Sequence, residues 1–439
     1  MNTPNLLHPR DELMRTMERI YRYRMTTTSG GNLSIREPDG TIWITPARVD
    51  KGALRREDIV RVSPSGRVEG LHPPSSELPF HRAIYKARPD LRAIVHAHPV
   101  ALVAFSICRE APDTRLLHQA RQVCGEVGVA AYAIPGSELL GRRIADTFAK
   151  GFQCVVLENH GVVVGGEDLK SAFQRFETLE FTAKTIIKAR QLGRVKYLSD
   201  AQVALARGAA QALPFRPVAE AGSAERELRH QVCSFVRRGY DQRLLISTEG
   251  SFSARLDDDA FLITPYREDR RALEVDDLVL VRGGAAEEGK TPSRASANHR
   301  AIYRADPRVR AIVNAYTVNA TAFSVSGAAL DARTIPESYI FLREVARVPF
   351  GAQFTDPARL AAALSMDQPV ALMENDGVMV CGTSVLDAFD RLEVLESTAE
   401  AIINARHLGP IRAMPARVVA DLRRAFNLPA PRRAKKGTP

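Results

Sequence analysis

Two histidines, His96 and His98, end the apolar run RAIVHAH and are separated by one residue. A short run rich in β-branched residues is typical of a strand, on which side chains alternate between the two faces. Both imidazoles therefore point to the same side, which suits two ligands of one metal ion. Histidine pairs with this spacing also occur in proteins that bind no metal, so the pair alone does not establish a metal site.

Two further residues complete a ligand set for a metal ion. His160 lies in the segment ENHG at the end of a second apolar strand, and Glu77 follows two serines at the predicted start of a helix. Three imidazoles and one carboxylate suit Zn²⁺ or another divalent transition metal, and they leave one position open for substrate or water. The sequence therefore predicts a metal site formed by these four residues.

The chain contains an internal duplication. Residues 81–99 (HRAIYKARPDLRAIVHAHP) and 299–317 (HRAIYRADPRVRAIVNAYT) align without a gap and agree at most positions. All four candidate residues nevertheless differ in the second copy, which has Ala295 for Glu77, Asn314 for His96, Tyr316 for His98 and Asp376 for His160. Because the apolar residues around them are retained, the four vary as a set. We therefore expect one metal ion per chain, in the first copy only.

The duplication extends over most of the 439 residues. Further segments recur in the same order: 29–36 with 248–255, 42–48 with 261–267, 155–166 with 371–382, and 172–193 with 388–409. A repeat of this length is a whole domain rather than a supersecondary unit. We predict a metal-dependent domain at 1–199, a linker at 200–222, a degenerate domain at 223–415 and an unstructured basic tail at 416–439.

The composition narrows the class of protein. Apolar residues make up 45% of the chain and charged residues 26%, as in globular proteins, and no window is apolar enough to span a membrane. The N-terminus has no pattern of a secretion signal, and the five scattered cysteines have no CxxC spacing. We expect a cytoplasmic protein with reduced, mostly buried thiols. Part of the net charge of +10 falls in the tail, so we expect no nucleic-acid partner.

The pattern of elements predicts an α/β fold. Residues 10–24, 76–88 and 172–190 have apolar residues at helical spacing, whereas short β-branched runs bounded by Gly or Pro read as strands. Helices of this kind cover a sheet with their apolar faces.

These motifs resemble those of the class II aldolase/adducin family, through GNLS, ITP, SSE, HAHP and ENHG in this order. The resemblance implies a three-layer α/β/α sandwich around a mixed, largely antiparallel central sheet, here present twice. It implies that His96, His98 and His160 ligate Zn²⁺ or a similar ion, and that Glu77 is the catalytic acid/base. It also implies a tetrameric ring of domains, which two tandem chains would build as a pseudo-tetramer.

The resemblance also implies where a substrate binds. Family aldolases hold a substrate phosphate with segments that correspond here to Asn32, Thr45, Ser75 and Ser76. The family segment TPTG is replaced by Thr45-Pro46-Ala47-Arg48, so Arg48 brings a guanidinium that suits a carboxylate or a phosphate. A surface ion pair is the alternative for Arg48, and Arg267 at the matching position of the second copy favours a structural role.

A second proton donor is needed in family aldolases, where a tyrosine from a neighbouring subunit protonates the leaving aldehyde. The corresponding region here contains His118, which we predict as the donor, with an ordinary histidine as the alternative.

We expect an aldolase-type lyase that cleaves a carbon–carbon bond of a small hydroxy-carbonyl substrate, such as a sugar phosphate, through a metal-stabilised enediolate. Two alternatives stay open: a metal-dependent decarboxylase of a hydroxylated acid, and an adducin-like binding protein without activity.

Overall fold

The computed structural model describes residues 6–208, 213–217 and 220–430. The chain divides into two compact units, Met1–Lys184 and Thr185–Pro439. The division falls inside a long helix, Leu169–Leu192.

The first unit builds one mixed sheet with helices around it. Its helices are α1 (Pro9–Arg22), α2 (Leu78–Ala87), α3 (Val100–Ile107), α4 (His118–Cys124), α5 (Glu138–Ala149) and α6 (Leu169–Leu192). Its strands are β1 (Asn32–Arg36), β2 (Ile42–Ile44), β3 (Val60–Val62), β4 (Val68–Glu69), β5 (Ala93–Ala97), β6 (Val127–Ala130), β7 (Cys154–Leu157) and β8 (Gly161–Gly166). The strand order across the sheet is β4-β3-β2-β1-β5-β8-β7-β6. Only the β6–β7 pair is parallel among these described strands, so the sheet is largely antiparallel.

Helices cover both faces of this sheet. On one face α2 and α5 bury apolar residues such as Phe80 and Phe148 against Ile94 and Val163 of the strands. On the other face α1 contacts β1, and α6 donates a hydrogen bond from Arg175 Nη1 to the carbonyl oxygen of Gly165 in β8 (3.0 Å). Successive side chains of each strand point to opposite faces of the sheet, so apolar residues contact the helices on both faces. This explains why these strands are almost entirely buried. The predicted three-layer α/β/α sandwich is confirmed.

The second unit repeats this architecture. Its helices after α6 are α7 (Asp200–Arg207), α8 (Ser223–Asp241), α9 (Ser296–Ala305), α10 (Val318–Ser324), α11 (Pro336–Leu342), α12 (Ala352–Thr355), α13 (Pro357–Ala363), α14 (Val385–Ala405) and α15 (Ala416–Ala425). Its strands are β9 (Phe215–Arg216), β10 (Ser251–Arg255), β11 (Ala260–Ile263), β12 (Val279–Arg282), β13 (Ala285–Glu287), β14 (Ala311–Ala315), β15 (Ala346–Val348), β16 (Val370–Met373) and β17 (Val378–Gly382). The strand order is β15-β16-β17-β14-β10-β11-β12-β13-β9. Apart from β9, each strand has the neighbours of its counterpart in the first unit, as a tandem duplication requires.

The prediction of an unstructured tail at 416–439 is wrong for its first residues. Ala416–Ala425 form α15, which begins after Pro415 and contacts α11. Val418 and Leu422 lie four residues apart on one side of this helix. A single pair of this kind among so many arginines is too short a pattern to predict a helix. Residues 431–439 lie outside the described residues.

The segment predicted as a linker, 200–222, contains α7 and the short strand β9 in its described parts. Helix α7 starts at a capping box in which Ser199 and Gln202 bond each other's backbone amides. The boundaries of the four predicted regions stay a prediction.

Other features concern the whole chain. Cys108 is exposed, the other four cysteines are buried, and all five are free thiols. Among the described residues no helix is long and apolar enough to cross a membrane.

Candidate metal centre

The antiparallel pairing of β5 with β8 brings three histidines to one end of the sheet. His96 is the fourth residue of β5 and pairs in register with Val163, while His98 follows directly after the strand. His160 lies in the turn that enters β8. Because β8 runs antiparallel to β5, the start of β8 lies beside the end of β5, and the three imidazoles meet there.

The three imidazoles lie at distances that fit a shared ion. Their ring centroids are 4.8 Å (His96–His98), 4.9 Å (His96–His160) and 5.0 Å (His98–His160) apart. The Nε2 atoms of His96 and His98 are 3.2 Å apart. A tetrahedral ion with nitrogen ligands at about 2.0–2.1 Å separates two such nitrogens by roughly 3.4 Å. Within the part of the chain that the structure describes, this is the one group of three or more His, Cys, Asp or Glu side chains close enough to hold a metal ion.

The tautomer of His96 is set by the backbone. Its Nδ1 lies 2.9 Å from the carbonyl oxygen of Val162, which can only accept a hydrogen bond. Nδ1 therefore carries a proton, and in the neutral ring the lone pair is on Nε2, which faces the other histidines, as is usual for a metal-ligating imidazole.

Glu77 precedes α2 and brings a carboxylate to the same point. Its Oε2 lies 3.1 Å from His96 Nε2 and accepts a hydrogen bond from Asn32 Nδ2 (2.8 Å). Its Oε1 lies 3.6 Å from His160 Nε2 and, among the described residues, has no hydrogen-bond partner although the residue is buried, with 7% of its surface exposed. A buried carboxylate oxygen without a partner is costly, so Oε1 is suited to a proton, a cation or a substrate hydroxyl.

Charges and hydrogen bonds within the cluster shift the pKa values of Glu77 and His96 in opposite directions. Burial on its own would raise the pKa of Glu77, but the charge of His96 and hydrogen bonds from His96 and Asn32 outweigh it and hold that pKa well below its ordinary value. Burial alone would likewise lower the pKa of His96, whereas the carboxylate of Glu77 raises it above the ordinary value. The pair therefore favours a carboxylate next to an imidazolium as long as no metal ion is bound.

The other two histidines are held neutral. Burial, followed by the charges of His96 and His160, lowers the pKa of His98 to about 3. Burial and then the charge of His96 lower the pKa of His160 to about 4. Neutral imidazoles are the form that ligates a metal ion, so these two side chains need no deprotonation near neutral pH.

Two glycines leave room for the imidazoles. A Cβ added at Gly161 would lie 2.6 Å from Cδ2 of His98. One added at Gly31, whose φ is +73°, would lie 2.7 Å from the carbonyl oxygen of His96. The glycines of the motifs GNLS and ENHG are therefore required by close packing around the ligands.

In the second copy the same space is filled by a different polar cluster. Tyr316 donates its hydroxyl proton to Oδ1 of Asp376 (2.7 Å), and Gln353 donates from Nε2 to Oδ2 (3.0 Å). Burial, followed by the carboxylates of Asp376 and Glu249, raises the pKa of Tyr316 well above its ordinary value. Glu249 stands at the position of Gly30. Side chains that satisfy each other thus replace the ligand set.

Two of the predicted substrate-binding residues are engaged inside the protein. Asn32 uses both ends of its amide, on Glu77 and on His81. Thr45 is fully buried, and its hydroxyl accepts the backbone N–H of Leu33 (3.1 Å). In the second copy Thr264 makes the equivalent contact with the backbone of Phe252 (3.3 Å), so this bond belongs to the scaffold.

The other three predicted substrate-binding residues lie on two paired loops. The amide of Ala47 bonds the carbonyl oxygen of Pro73 (3.1 Å), which ties the loop of Arg48 to the loop that contains Ser75 and Ser76. Ser75 is buried, whereas Ser76 and Arg48 are exposed. Arg48 has a φ of +57° and, among the described residues, no carboxylate within 4.0 Å. The surface ion pair considered as an alternative for Arg48 is thus not formed there.

His118 begins α4 and is 5% exposed. It is not a member of the histidine cluster. Its role as a second proton donor stays a prediction, and its burial means that a substrate would have to reach it inside the unit.

Sequence reasoning left out one histidine next to this centre. His81 lies on α2, four residues after Glu77, and its Nε2 is 2.5 Å from Oδ1 of Asn32. Residues four apart on a helix share a face, so this spacing was the available signal. The comparison of the two copies does not single out this residue, because His299 occupies the same position in the second copy.

Comparison with known proteins agrees with this geometry. The profile of the family described as Class II Aldolase and Adducin N-terminal domain matches residues 11–187 and 230–403, which is most of the chain. Enzymes of this family typically depend on a divalent metal ion, and the ligand set of the first unit fits such an ion.

The relatives described next each align with a stretch of this chain that is about as long as one of its two domains. A 3-oxo-tetronate 4-phosphate decarboxylase of Pectobacterium atrosepticum is 36% identical over 182 residues, which cover 40% of this chain and 83% of the relative. An L-fuculose phosphate aldolase of Methanococcus maripaludis is 31% identical over 177 residues, which cover 39% of this chain and 93% of the relative. A solved structure of an L-fuculose 1-phosphate aldolase is 31% identical, covers 45% of this chain and 93% of its own, and has a TM-score of 0.42. The chain therefore belongs to the class II aldolase and adducin family, carries the domain of that family twice, and is a lyase.

Proposed function

We propose that this chain is a metal-dependent lyase that cleaves a carbon–carbon bond of a small hydroxy-carbonyl compound in the manner of an aldolase, with a sugar phosphate as the favoured substrate class. The observation that carries the proposal is the convergence of three imidazoles and one carboxylate at the end of β5.

His96, His98 and His160 would hold the metal ion in the first domain, with zinc or another divalent transition metal as the candidates. A bound divalent cation supplies positive charge that stabilises the negative charge developing on substrate oxygens when the carbon–carbon bond breaks. The backbone bond from His96 Nδ1 to Val162 leaves Nε2 of that ring to face the ion, and the low pKa values of His98 and His160 keep the lone pairs of these two rings available.

Glu77 would move the proton. Its Oε2 is held by Asn32, so the carboxylate has a fixed orientation, and Oε1 is the atom left to exchange a proton with the substrate. Because its pKa lies below the ordinary value, Glu77 starts as a carboxylate and takes up a proton before it gives one back.

Arg48, Ser75 and Ser76 would bind the anionic group of the substrate. Two of these residues are exposed, the loops that carry them are hydrogen-bonded to each other, and no carboxylate among the described residues neutralises Arg48. A guanidinium and hydroxyl groups suit either a phosphate or a carboxylate.

Decarboxylation of a 3-oxo acid is the second candidate. The same positive charge would stabilise the enolate that remains when CO₂ leaves, and Arg48 would bind the other anionic end of the substrate. Four curated relatives carry the name 3-oxo-tetronate 4-phosphate decarboxylase.

The second domain would be catalytically silent and would serve assembly. Its Tyr316, Asp376 and Gln353 bond one another where the first domain has metal ligands. We propose a dimer of tandem chains in which domains alternate as a pseudo-tetramer. Light scattering that finds a stable monomer at micromolar concentration would contradict this assembly.

The test of the proposed reaction uses the full chain loaded with zinc, manganese or cobalt. Sugar phosphates and phosphorylated 3-oxo acids are supplied separately, with enzymatic detection of released aldehyde and of CO₂. Glu77→Ala should abolish turnover with the fold retained, whereas Arg267→Ala, an exposed change in the second domain, should leave turnover unaltered. Absence of metal-dependent turnover with both substrate classes would overturn the proposal.

A further inference from the structure

A continuous set of hydrogen bonds leads from Glu77 into the core of the first unit. Asn32 donates from Nδ2 to Oε2 of Glu77 (2.8 Å), and Oδ1 of Asn32 lies 2.5 Å from Nε2 of His81. On its other side, Nδ1 of His81 lies 2.7 Å from the hydroxyl of Ser34, which is 2.7 Å from the hydroxyl of Tyr85. All five side chains are buried.

Chemistry fixes the direction of every bond in this set. Ionised Glu77 can only accept, so the NH₂ end of the Asn32 amide must face it and the oxygen must face His81. An amide oxygen can only accept, so His81 carries its proton on Nε2 and accepts on Nδ1. Ser34 therefore donates to His81 and accepts from Tyr85. Only one orientation of the Asn32 amide satisfies the whole set.

The second copy retains one part of the set and lacks the other. His299 Nδ1 lies 2.7 Å from the hydroxyl of Ser253, which is 2.7 Å from the hydroxyl of Tyr303. At the other end Ser251 replaces Asn32, its Oγ is 3.3 Å from His299 Nε2, and Ala295 replaces Glu77. The His-Ser-Tyr part is thus common scaffold, and the link from this scaffold to a carboxylate exists only in the copy that keeps the metal ligands.

We propose that His81 is a positioning residue for catalysis: through Asn32 it holds Oε2 of Glu77 and so aims Oε1 at the reacting atoms. The inference rests on the proposed function for its effect on rate, but the geometry that it requires can be measured separately. Without the donor on His81, the oxygen of the Asn32 amide loses its partner, so the amide is held at one end only and can turn about its contact with Glu77. A carboxylate displaced by a fraction of an ångström transfers its proton more slowly while the ligands stay in place.

The duplication supplies a matched control for the kinetic test. His81→Leu and His299→Leu remove an imidazole from the His-Ser-Tyr scaffold that both copies share, so both should lower the melting temperature. Only His81→Leu should lower kcat, by tenfold or more, with KM and the bound metal per chain changed by less than twofold. Equal kcat values for the two variants would overturn the inference.

Two further variants keep the test valid if His81→Leu folds poorly. His81→Gln keeps an N–H donor near the position of Nε2 and should recover most of kcat. Asn32→Ser copies the residue that the second unit accommodates at Ser251, and it should reduce kcat as much as His81→Leu does. Because both act through one contact, the double variant should be no slower than either single one. Multiplicative losses would show that His81 does not act through Asn32.

A readout without substrate separates this inference from the proposed function. Nitrogen-15 NMR of histidine-labelled protein, assigned by loss of one signal in His81→Gln, should show a neutral ring protonated on Nε2. A crystal structure of Asn32→Ser should show the Glu77 carboxylate rotated away from its position in the parent chain. If both results hold but no substrate turns over, the proposed function fails and the positioning survives. If turnover is found and Glu77 stays in place in Asn32→Ser, the positioning inference fails alone.

Discussion

Acid should unfold the first unit of the metal-free chain before the second. His81 is buried, His98 and His160 are half-buried, and all three are neutral in the first unit, with pKa values lowered to about 3, about 3 and about 4, mainly by desolvation. In the second unit only His299, among residues with a resolved shift, behaves in this way, with a pKa of about 3. A histidine whose folded pKa lies below its unfolded value binds more protons when unfolded, so its contribution to stability falls as pH drops below about 6.5.

The size of the effect follows from the shifts. At pH 5 each neutral histidine costs about 2 kcal/mol relative to pH 8, since each unit of pH below about 6.5 costs about 1.4 kcal/mol. Three such groups cost about 6 kcal/mol in the first unit and one costs about 2 kcal/mol in the second. His96 has the opposite sign, because its raised pKa adds stability below about 6.5, and it offsets part of the loss. We therefore expect the first unit to lose about 2–4 kcal/mol more than the second.

Hydrogen exchange read by mass spectrometry measures the two units in one sample. Chelator-treated protein is labelled at pH 8 and pH 5, and protection, corrected for the intrinsic exchange rate, is compared for peptides from β5 and β14. Protection in β5 should fall at least tenfold more than in β14, and His160→Asn should recover about 2 kcal/mol of it at pH 5. Equal losses in both strands, or a larger loss in β14, would refute the assignment of neutral buried histidines.

Three other outcomes are expected. Glu77→Gln should lower kcat by about 10²–10⁴-fold, because a proton-transfer group is removed, while metal analysis still finds one ion per chain; an unchanged rate would remove Glu77 from the mechanism. His96→Asn, which copies Asn314 of the second copy, should abolish metal binding. Zinc at a hundred times its dissociation constant should stabilise the parent chain by ~2.7 kcal/mol in a thermal melt, and it should not stabilise the variant. Arg48→Ala should raise KM about tenfold or more for an anionic substrate with kcat little changed, because a charge-assisted contact is lost, whereas Arg267→Ala should leave KM as it was; matching effects would assign both arginines to structure.

The convergence of the four candidate residues was predictable from the sequence because the duplication presents the same fold once with these residues and once without them. His96, His98, His160 and Glu77 differ between the copies while their apolar neighbours agree, and the structure brings these four side chains together. The alternation of strand residues was enough to place His96 and His98 on one face.

Comparison of the two copies cannot single out residues that are identical in both. His81 and Thr45 have counterparts in His299 and Thr264, so they could not be separated from ordinary core residues. The hydrogen bond from His96 to Val162 is also invisible in the sequence, because a backbone carbonyl carries no residue signature and its position depends on the β5–β8 register. The exposure of a residue was equally hard to predict. Thr45 was expected to bind substrate, but it is buried and its hydroxyl accepts a hydrogen bond from the backbone of Leu33.

The polar cluster of Tyr316, Asp376 and Gln353 makes the change in the second copy difficult to reverse. If Tyr316 alone were replaced by histidine, the 2.7 Å hydrogen bond from the phenol to Asp376 would be lost, and the shorter imidazole would have to reach the same carboxylate. If Asp376 alone were replaced by histidine, the buried phenol and Gln353 would both lose the carboxylate that accepts from them. Each of these two single changes breaks a buried hydrogen bond that stabilises the second copy, so the cluster favours its present residues over a stepwise return to the ligand set.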